Sequence, residues 1–472
     1  MNTVKTTEKW TIYNCHIHTF TRQHSPRQFI KWALSDAELG KISGRRVPWY
    51  MLFAAGYFAL LRLLAKTSIA LSKRSDIFSL LGYSFLLLVQ AVLVIPTVLL
   101  IVILVALGLI LLLQAIFNRL GKMGTFSPSR RATRQLMQLK EKVDEGQKRM
   151  VSSNLLFNLM VWINPASNDI FERTARFFKI SEQPTQQEVF SQVELQYPKG
   201  TVFVVLPMDM GFMNMGPLGA SIESQHAELW ELAQKSPGRI IPFYAADPRH
   251  PDIVQRVKSN LARDKFQGIK IYPNLGYRPN HPRLMEIYKL CIAGNFPVVT
   301  HCSPGGIWQY GLSRDQRKEN SKPENYRDIL DMPDYRELKF CLAHFGGAEE
   351  WVRHLKGRAA RSEGQEPWVS TIYDMIASGK YPNLYTDISY TVFTPKVSGL
   401  YVDMVDYLKV MLSHPLVKKH VLFGSDYYMV ERESVSEKEA SILLRSRLGE
   451  ELYKQIAYTN PRVYLGIDPP EQ

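Results

Sequence analysis

The chain has 472 residues, a formal net charge of +14 at pH 7 and a sequence pI of about 9.4. This length admits two or three average domains, or one α/β barrel with a large addition. The basic balance suggests a polyanionic partner, but nearly all of the excess lies in residues 41–75 and 119–149, which flank one apolar block. That distribution excludes nucleic acid as the expected partner and favours a membrane lipid surface.

Residues 10–18 are predicted to form the first strand, and this strand ends in the pair His16 and His18. Side chains alternate along a strand, so two histidines that are one residue apart point to the same face and can share one metal ion. The pair alone is a weak signal. Its weight depends on whether later strands bring further ligands to the same place.

The apolar block at residues 77–117 contains no charged side chain, and Pro96 lies near its middle. Because one bilayer crossing takes roughly 20 residues, the block is predicted to form a transmembrane hairpin of about 77–95 and 97–117. Two crossings return the chain to the same side of the membrane and leave the basic flanks on the cytoplasmic side. A pairing of residues 47–64 with a later span ranks second, and a buried helical pair is the alternative without a membrane.

Two neighbouring stretches are predicted to be helices at the membrane surface. Residues 47–65 contain Arg62 and are followed by further basic residues, which favours an interfacial helix with basic ends. Residues 119–149 repeat apolar side chains at spacings of three and four, as an amphipathic helix does. The positive charge of both stretches suits anionic headgroups.

From residue 201 onward, short apolar runs alternate with helical or loop segments, which indicates a parallel sheet with crossover helices. The first outer helix is predicted at residues 186–197. With the first strand, the predicted strands number eight, which closes a (β/α)8 TIM barrel. The other seven are 201–207, 239–246, 268–273, 297–301, 339–344, 383–388 and 421–426.

The predicted fold is therefore an α/β TIM barrel with a large helical hydrophobic insertion after strand 1. Residues 1–20 contribute the first barrel strand in this prediction. Residues 21–185 form the membrane-associated insertion, and residues 186–472 form the remainder of the barrel.

Three of the later strands end in side chains that can bind a metal, namely His301, His344 and Asp426. Because a barrel builds its site at the carboxyl ends of the strands, these residues are expected to meet His16 and His18. Nitrogen and oxygen ligands with an open position suit zinc or a related divalent ion that holds a water. His16, His18 and His301 are then expected to hold the ion. Asp426 is the expected base, and His344 is the expected hydrogen-bond partner of the water or the substrate carbonyl.

Lys270 ends the fourth predicted strand, and three roles are open for it: a carbamylated metal bridge, a clamp for a substrate anion, or an internal ion-pair partner. The loop that follows contains Tyr272 and Arg278, which are candidates for substrate binding. A guanidinium suits a carboxylate because it makes two parallel hydrogen bonds. A surface role for this loop is the alternative.

As a set, these motifs resemble the amidohydrolase superfamily, in the amidohydrolase-related branch that includes aminocarboxymuconate-semialdehyde decarboxylase. The resemblance covers residues 10–20 and about 195–466, and it also rests on Asp247-Pro248-Arg249 and Gly268-Ile269-Lys270. It implies a metal, usually zinc, and the hydrolysis of C–N, C–O or C–C bonds or a non-oxidative decarboxylation. The metal ligands that it implies are His16, His18, His301 and Asp426. It also implies that His344 is a catalytic polar group near the metal.

The leading functional prediction is a membrane-associated, metal-dependent hydrolase in which a metal-activated water attacks an amide, ester or related bond. The alternatives are a non-oxidative decarboxylase on the same metal site and an inactive membrane-anchored scaffold. The expected partners are a lipid surface and a small-molecule substrate, which is amphipathic if the insertion holds the site near the bilayer. The predicted location is the membrane, with the barrel on the cytoplasmic side, because the four cysteines show no disulfide pattern.

Overall fold

The computed structural model of the chain describes residues 10–27, 29, 176–355, 366–391, 401–432 and 436–468. All of them belong to one compact unit, formed by Met1–Lys31 and Asn158–Gln472. The predicted hairpin at 77–117 and the predicted surface helices at 47–65 and 119–149 lie outside the described residues. The predicted insertion at 21–185 and its boundaries with residues 1–20 and 186–472 stay predictions.

The described residues contain nine short strands, all paired in parallel. They are β1 Tyr13–Ile17, β2 Val202–Val205, β3 Ile240–Pro242, β4 Tyr244–Ala245, β5 Ile269–Ile271, β6 Val298–His301, β7 Phe340–Ala343, β8 Leu384–Asp387 and β9 Val421–Leu422. One sheet has the order β1-β2-β3, and the other runs from β4 to β9 in sequence order. β3 and β4 are halves of one run interrupted at Phe243, because β3 pairs with β2 while β4 pairs with β5. Counted in this way, the strands match the eight predicted ones.

The first and last strands lie side by side, which fits a closed barrel. The Cys15 amide donates to the Phe423 carbonyl at 2.8 Å, and the Asp426 amide donates to the His16 carbonyl at 2.8 Å. Ile17 and Tyr427 form a parallel bridge just beyond these bonds. The predicted α/β fold with parallel sheets is confirmed, and its strand order fits the predicted TIM barrel.

Helices alternate with the strands along the chain. They are α1 Gln186–Glu194, α2 Ile222–Lys235, α3 Ile253–Asn260, α4 Pro282–Gly294, α5 Arg314–Ser321, α6 Glu324–Leu330, α7 Ala348–Leu355, α8 Trp368–Ala377, α9 Tyr401–Met411, α10 Pro415–His420, α11 Glu437–Leu448, α12 Glu450–Lys454 and α13 Asn460–Tyr464. α1 is the predicted first outer helix. It begins with a capping box, because the Thr185 hydroxyl accepts from the Glu188 amide while the Glu188 carboxylate accepts from the Thr185 amide.

The predicted membrane localisation needs correction. In the part of the chain that the structure describes, no helix combines the length and the apolar character that a bilayer crossing requires. The longest described helix, α2, has 14 residues, whereas a crossing takes roughly 20. The prediction of a membrane protein with its barrel on the cytoplasmic side was therefore wrong on this finding.

The barrel interior is filled by side chains from alternate strand positions. Its buried apolar cluster consists of Tyr13, Cys15, Val202, Val204, Leu206, Ile241, Phe243, Val299, Cys341, Ala343, Tyr385, Leu422, Tyr464 and Leu465. The register of β1 against β2 shifts between Asn14 and Ile17, and such an irregularity re-aims side chains. Cys15 lies within the shifted stretch and belongs to the apolar core, whereas His16, the next residue, and His18 lie at the polar end of the barrel.

Candidate metal centre

The ends of β1 and β9 bring three predicted ligands together. Asp426 Oδ1 lies 3.0 Å from His18 Nε2 and 3.6 Å from His16 Nε2. One ligand atom from each residue lies within 4.8 Å of the others, and all three side chains are buried. The Asp426 carboxylate meets the two imidazoles here although more than 400 positions separate it from them in the sequence.

The donor set of this group fits a divalent cation. Asp426 Oδ1 is buried and has no hydrogen-bond partner among the described residues, although buried polar atoms are nearly always paired. The oxygen instead faces two ring nitrogens at distances that a shared ion would bridge. Nitrogen and carboxylate-oxygen donors in this number are typical of an open zinc-type site.

Electrostatics at the cluster favours neutral rings. Burial lowers the pKa of His16 well below its usual range, and the nearby Lys270 charge lowers it further. The same two causes lower the pKa of His301 to about 3. Burial raises the pKa of Asp426, and His18 opposes that rise. Metal binding requires unprotonated imidazoles, so His16 and His301 are already in the binding form, and a cation would favour the ionised form of Asp426.

Backbone conformation also marks the site. Asp426 and His344 both have a φ of 68°, in the left-handed region that side chains other than glycine rarely adopt. Hydrogen bonds hold them there, because the Asp426 amide donates to the His16 carbonyl and the His344 amide donates to Asp387 Oδ1 at 2.9 Å. Such conformations persist where surrounding contacts enforce them, and they cluster at functional sites.

His301 lies close to the group but does not belong to it. Its Nδ1 is 3.0 Å from His344 Nε2, and its Nε2 is 2.9 Å from the Gly305 carbonyl. Tyr272 stacks on the ring at a centroid distance of 4.2 Å. Gly306, with a φ of 87°, permits this packing, because a Cβ there would lie 2.6 Å from His301 Cε1. The predicted ligand role of His301 stays a prediction, whereas the structure places His344 against it as a neighbouring ring.

Lys270 lies beside the cluster as a buried cation. Its Nζ is 3.4 Å from His16 Nε2, and burial lowers its pKa to about 8. No carboxylate of the described residues lies within ion-pair distance of it, so the structure does not show the internal ion pair. With Tyr272 it lines a cavity of about 10 Å³, which is room for roughly one water. A larger cavity of about 630 Å³ between α9, α10 and α12 contains none of the predicted site residues.

Arg278 is not brought to this cavity. Its side chain is exposed and lies 3.6 Å from the Glu319 carboxylate at the surface. Tyr272 is buried and its hydroxyl accepts from the Ile307 amide at 2.9 Å. Of the three predicted substrate-binding residues, the structure therefore brings Lys270 and Tyr272 to the cavity.

Two residues that sequence reasoning missed lie behind the cluster. Asp387 Oδ2 is 2.9 Å from His16 Nδ1, and the Ser389 hydroxyl lies 3.1 Å from that nitrogen and 2.9 Å from His344 Nδ1. Asp387 ends β8, so the rule that selected Asp426 as a strand-ending carboxylate would also have selected it. His16, His344 and Asp387 have ligand atoms within 4.8 Å of one another, but Asp387 is already hydrogen-bonded to His16, and the His344 ring is hydrogen-bonded to Ser389 and His301.

A family model described as amidohydrolase matches residues 202–467, which is more than half of the chain. The chain belongs to the amidohydrolase family. The prediction of a metal-dependent enzyme of this type is thereby confirmed, with hydrolysis and decarboxylation both open. A comparison with curated protein sequences gave no match.

Several solved structures are similar to the chain in fold. The 5-carboxyvanillate decarboxylase of Novosphingobium aromaticivorans, solved with manganese and a nitrobenzoic acid, is 14% identical, with 69% of this chain and 92% of that chain covered and a TM-score of 0.42. A probable 2-pyrone-4,6-dicarboxylic acid hydrolase from Acinetobacter baumannii, solved with citric acid, is 14% identical, with 60% and 90% covered and a TM-score of 0.41. The 2,6-dihydroxybenzoate decarboxylase of Rhizobium is 14% identical, with 57% and 84% covered and a TM-score of 0.39.

Proposed function

We propose that this protein is a metal-dependent hydrolase in which His16, His18 and Asp426 hold one divalent ion, with zinc as the first candidate. The observation that carries the proposal is the buried Asp426 Oδ1, which has no hydrogen-bond partner among the described residues and faces two imidazole nitrogens. Three nitrogen and oxygen donors leave a coordination position for water or substrate. The substrate is a small molecule that reacts at this position.

When bound, a divalent ion lowers the pKa of a water to about 7 and polarises a substrate carbonyl. Asp426 is the proton acceptor beside that water, because its carboxylate lies at the centre of the cluster and burial raises its pKa. His344 supplies a second polar group, because its Nε2 lies in the same cluster, 3.0 Å from His301 Nδ1. Hydrolysis of an amide, ester or related bond uses these groups together.

We further propose that the substrate carries a carboxylate, bound by Lys270. A buried ammonium without a carboxylate in contact is costly unless a ligand supplies the anion. Lys270 is 2% exposed and lines the small cavity together with Tyr272. The same observation favours a second candidate function, non-oxidative decarboxylation, because that reaction also needs a carboxylate held beside the metal.

A metal-content measurement combined with product analysis tests both candidates. The full chain is stripped with a chelator, reloaded with Zn²⁺ or Mn²⁺, and offered esters, amides and lactones of small carboxylic acids together with aromatic carboxylates. The products of hydrolysis together exceed the substrate mass by one water, and the product of decarboxylation is lighter than the substrate by one carbon dioxide. The metal-free protein is the control and should be inactive.

The possible outcomes distinguish the hydrolase, the decarboxylase and the inactive scaffold. A product that gains water in a metal-dependent reaction supports the hydrolase, and released carbon dioxide supports the decarboxylase. A chain that retains no metal after reloading would contradict the metal site and favour the inactive scaffold. Equal turnover by the stripped and the reloaded protein would also contradict it.

A further inference from the structure

The buried cluster behind His16 contains one carboxylate, Asp387, that accepts hydrogen bonds at both of its oxygens. Asp387 Oδ2 accepts from His16 Nδ1 at 2.9 Å, and Asp387 Oδ1 accepts from the amides of His344 and Ser389 at 2.9 and 3.0 Å. The Ser389 hydroxyl also donates to Oδ1. Asp387, Ser389 and His16 are all fully buried, so water does not compete for these bonds.

The direction of each hydrogen bond follows from the chemistry of its partners. An ionised carboxylate only accepts, so His16 must carry its proton on Nδ1 and Ser389 must donate its hydroxyl hydrogen to Asp387. The Ser389 hydroxyl oxygen and carbonyl oxygen both face His344 Nδ1, at 2.9 and 3.2 Å. Both atoms are then acceptors, so His344 also carries its proton on Nδ1.

His301 is the next ring along this chain of contacts. A neutral His344 with its proton on Nδ1 has a bare Nε2, which lies 3.0 Å from His301 Nδ1. The Gly305 carbonyl lies 2.9 Å from His301 Nε2, so His301 faces an acceptor at each ring nitrogen, and a neutral ring can donate to only one of them. The assignment of protons that starts at Asp387 therefore ends at His344.

We propose that Asp387 is the positioning residue that fixes the tautomers of His16 and His344, with the Ser389 hydroxyl as the relay between them. The consequence is that His16 and His344 each present a bare Nε2. A bare ring nitrogen is what a metal ion binds, and the hydrogen bond on the other nitrogen determines which one is bare. The inference rests on the proposed metal site but does not depend on the reaction.

The variant Asp387→Asn makes the sharpest test, because it keeps the shape of the side chain. Two backbone amides face Oδ1 and cannot become acceptors, so the amide oxygen of asparagine must take that position. Its NH₂ group then faces His16 Nδ1, which has to accept, and the proton of His16 moves to Nε2. An asparagine in place of a histidine-bound aspartate is known to select the wrong tautomer in this way.

Two readouts on the stripped full chain follow the change. Nitrogen-15 NMR of labelled histidines should show the His16 ring with its proton on Nδ1 in the wild type and on Nε2 in Asp387→Asn. The His16 signals are assigned by their absence from the spectrum of His16→Ala. Zn²⁺ titration should show affinity reduced by about 10- to 100-fold, the usual cost of losing a partner behind a metal ligand. Wild-type affinity together with an unchanged tautomer would overturn the proposal.

Ser389→Ala separates the relay from the direct bond. It leaves the Asp387 bond to His16 intact, so Zn²⁺ affinity should stay within about threefold of the wild type, while kcat falls because His344 loses its partner. The matched control is Thr386→Val, which removes a buried hydroxyl from the same strand. The Thr386 hydroxyl donates to the Leu342 carbonyl and touches none of the four groups, so both readouts should remain unchanged.

The failure of this inference is distinguishable from failure of the proposed function. Tautomer and affinity are measured without substrate. If both change as expected in Asp387→Asn but no substrate is hydrolysed or decarboxylated, the positioning role stands and the proposed reaction fails. If Ser389→Ala weakens Zn²⁺ binding as much as Asp387→Asn does, the division of roles between the two residues is wrong.

Discussion

His16 has a carboxylate at each of its two ring nitrogens, and the two carboxylates differ in almost every other respect. On the Nδ1 side, Asp387 is 2.9 Å away and accepts hydrogen bonds at both of its oxygens. On the Nε2 side, Asp426 Oδ1 is 3.6 Å away and has no hydrogen-bond partner among the described residues. Both carboxylates are buried.

This difference indicates that Asp387 supports the His16 ring, whereas Asp426 belongs to a binding site. A buried polar group that is fully hydrogen-bonded is rigid and stabilises the fold, and the Asp387 side has this character. A buried oxygen without a partner destabilises the fold by about 1–3 kcal/mol, and at Asp426 a bound cation would supply the missing contact. One side of the ring is therefore complete within the polypeptide, and it holds the other side in the geometry that a cation needs.

The largest effect is expected from Asp426→Asn. The substitution removes the charge that faces the two rings, so Zn²⁺ affinity should fall by more than the roughly 100-fold that loss of an outer partner can cost. In the metal-free protein the same change replaces an unpaired buried carboxylate with a neutral amide, so the free energy of unfolding should stay equal or rise. Calorimetric titration and urea unfolding of the stripped protein measure the two quantities.

Asp387→Asn is the matched partner of that experiment, because it alters the satisfied carboxylate instead. The metal-free variant should be less stable by about 1–3 kcal/mol, since hydrogen bonds to a charged acceptor are lost. The comparison therefore predicts opposite signs for the stability changes of two Asp→Asn variants at one ring. Equal destabilisation by both would show that Asp426 is also satisfied within the fold.

A smaller effect is expected from Lys270→Met, which removes the buried ammonium on the Nε2 side and keeps the apolar stem. A hydrogen bond to a charged group contributes about 1.5–3 kcal/mol, so KM for a carboxylate substrate should rise by roughly 10- to 100-fold. Steady-state kinetics on the substrate found in the product screen gives this number. The Zn²⁺ affinity should not fall, because a neighbouring positive charge is removed.

Arg278→Met is the control for that change, since it removes an exposed cation from the loop after β5. The Arg278 guanidinium lies 3.6 Å from Glu319 at the surface, and its loss should leave KM unchanged. If KM rises as much in this variant as in Lys270→Met, the loop reaches the substrate, as the sequence-based prediction for Arg278 states.

The sequence predicted the residues that converge at the candidate metal centre better than the residues that support His16 from behind. His16, His18 and Asp426 could be found because parallel strands end at one edge, so polar residues at strand ends meet whatever the details of the loops. Asp387 ends β8 and satisfies the same rule, but the rule places a carboxylate at the common edge without identifying the ring that it contacts. Only the fold shows that it lies behind His16.

Loop conformation limited the remaining predictions. The orientation of the His301 ring depends on Tyr272, which stacks on it, and on the turn at Gly305 and Gly306. Neither contact is encoded in the strand pattern that predicted His301 as a strand-ending residue. Arg278 lies beyond a left-handed turn at Gly276, with a φ of 107°, and the direction of the chain after such a turn is not readable from residue type. Strand ends were therefore predictable, and ring and loop directions were not.

Glu437 is another buried carboxylate, and, as in Asp426, one of its two oxygens is unpaired in the part of the chain that the structure describes. Tyr197 donates to its Oε1 at 2.9 Å, and Oε2 has no partner among the described residues. It belongs to none of the metal-type groups within the described residues, so protonation is the way to satisfy it. Burial accordingly raises its pKa to about 8.

The pH dependence of stability follows from that shift. The unfolded state releases this proton near the ordinary pKa of about 4.5, whereas the folded state keeps it up to about pH 8. The contribution of Glu437 to stability is therefore fully present below about pH 4.5 and is lost as the pH rises towards 8, by up to about 1.4 kcal/mol per pH unit. Glu437→Gln should lose this slope when urea unfolding is compared from pH 5 to 8, and exposed Glu439→Gln on the same helix should keep it. A Glu437→Gln slope equal to that of the wild type would show that Glu437 is ionised in the fold.

The last variant adds a single methyl group and tests whether the contacts at both nitrogens of His16 depend on the position of its ring. A Cβ on Gly424 would lie 2.8 Å from His16 Cβ and 3.2 Å from Ser389 Cβ, so Gly424→Ala must displace one of them, at a cost of about 1–3 kcal/mol in unfolding free energy. Gly305→Ala is the control, because its Cβ would meet only the Ser303 hydroxyl, at 3.7 Å. If Gly424→Ala weakens Zn²⁺ binding and also perturbs the His344 resonance in NMR spectra, one displacement has moved both sides of the ring. A loss of stability with neither change would mean that the ring is held by Asp387 firmly enough for the backbone at Gly424 to yield instead.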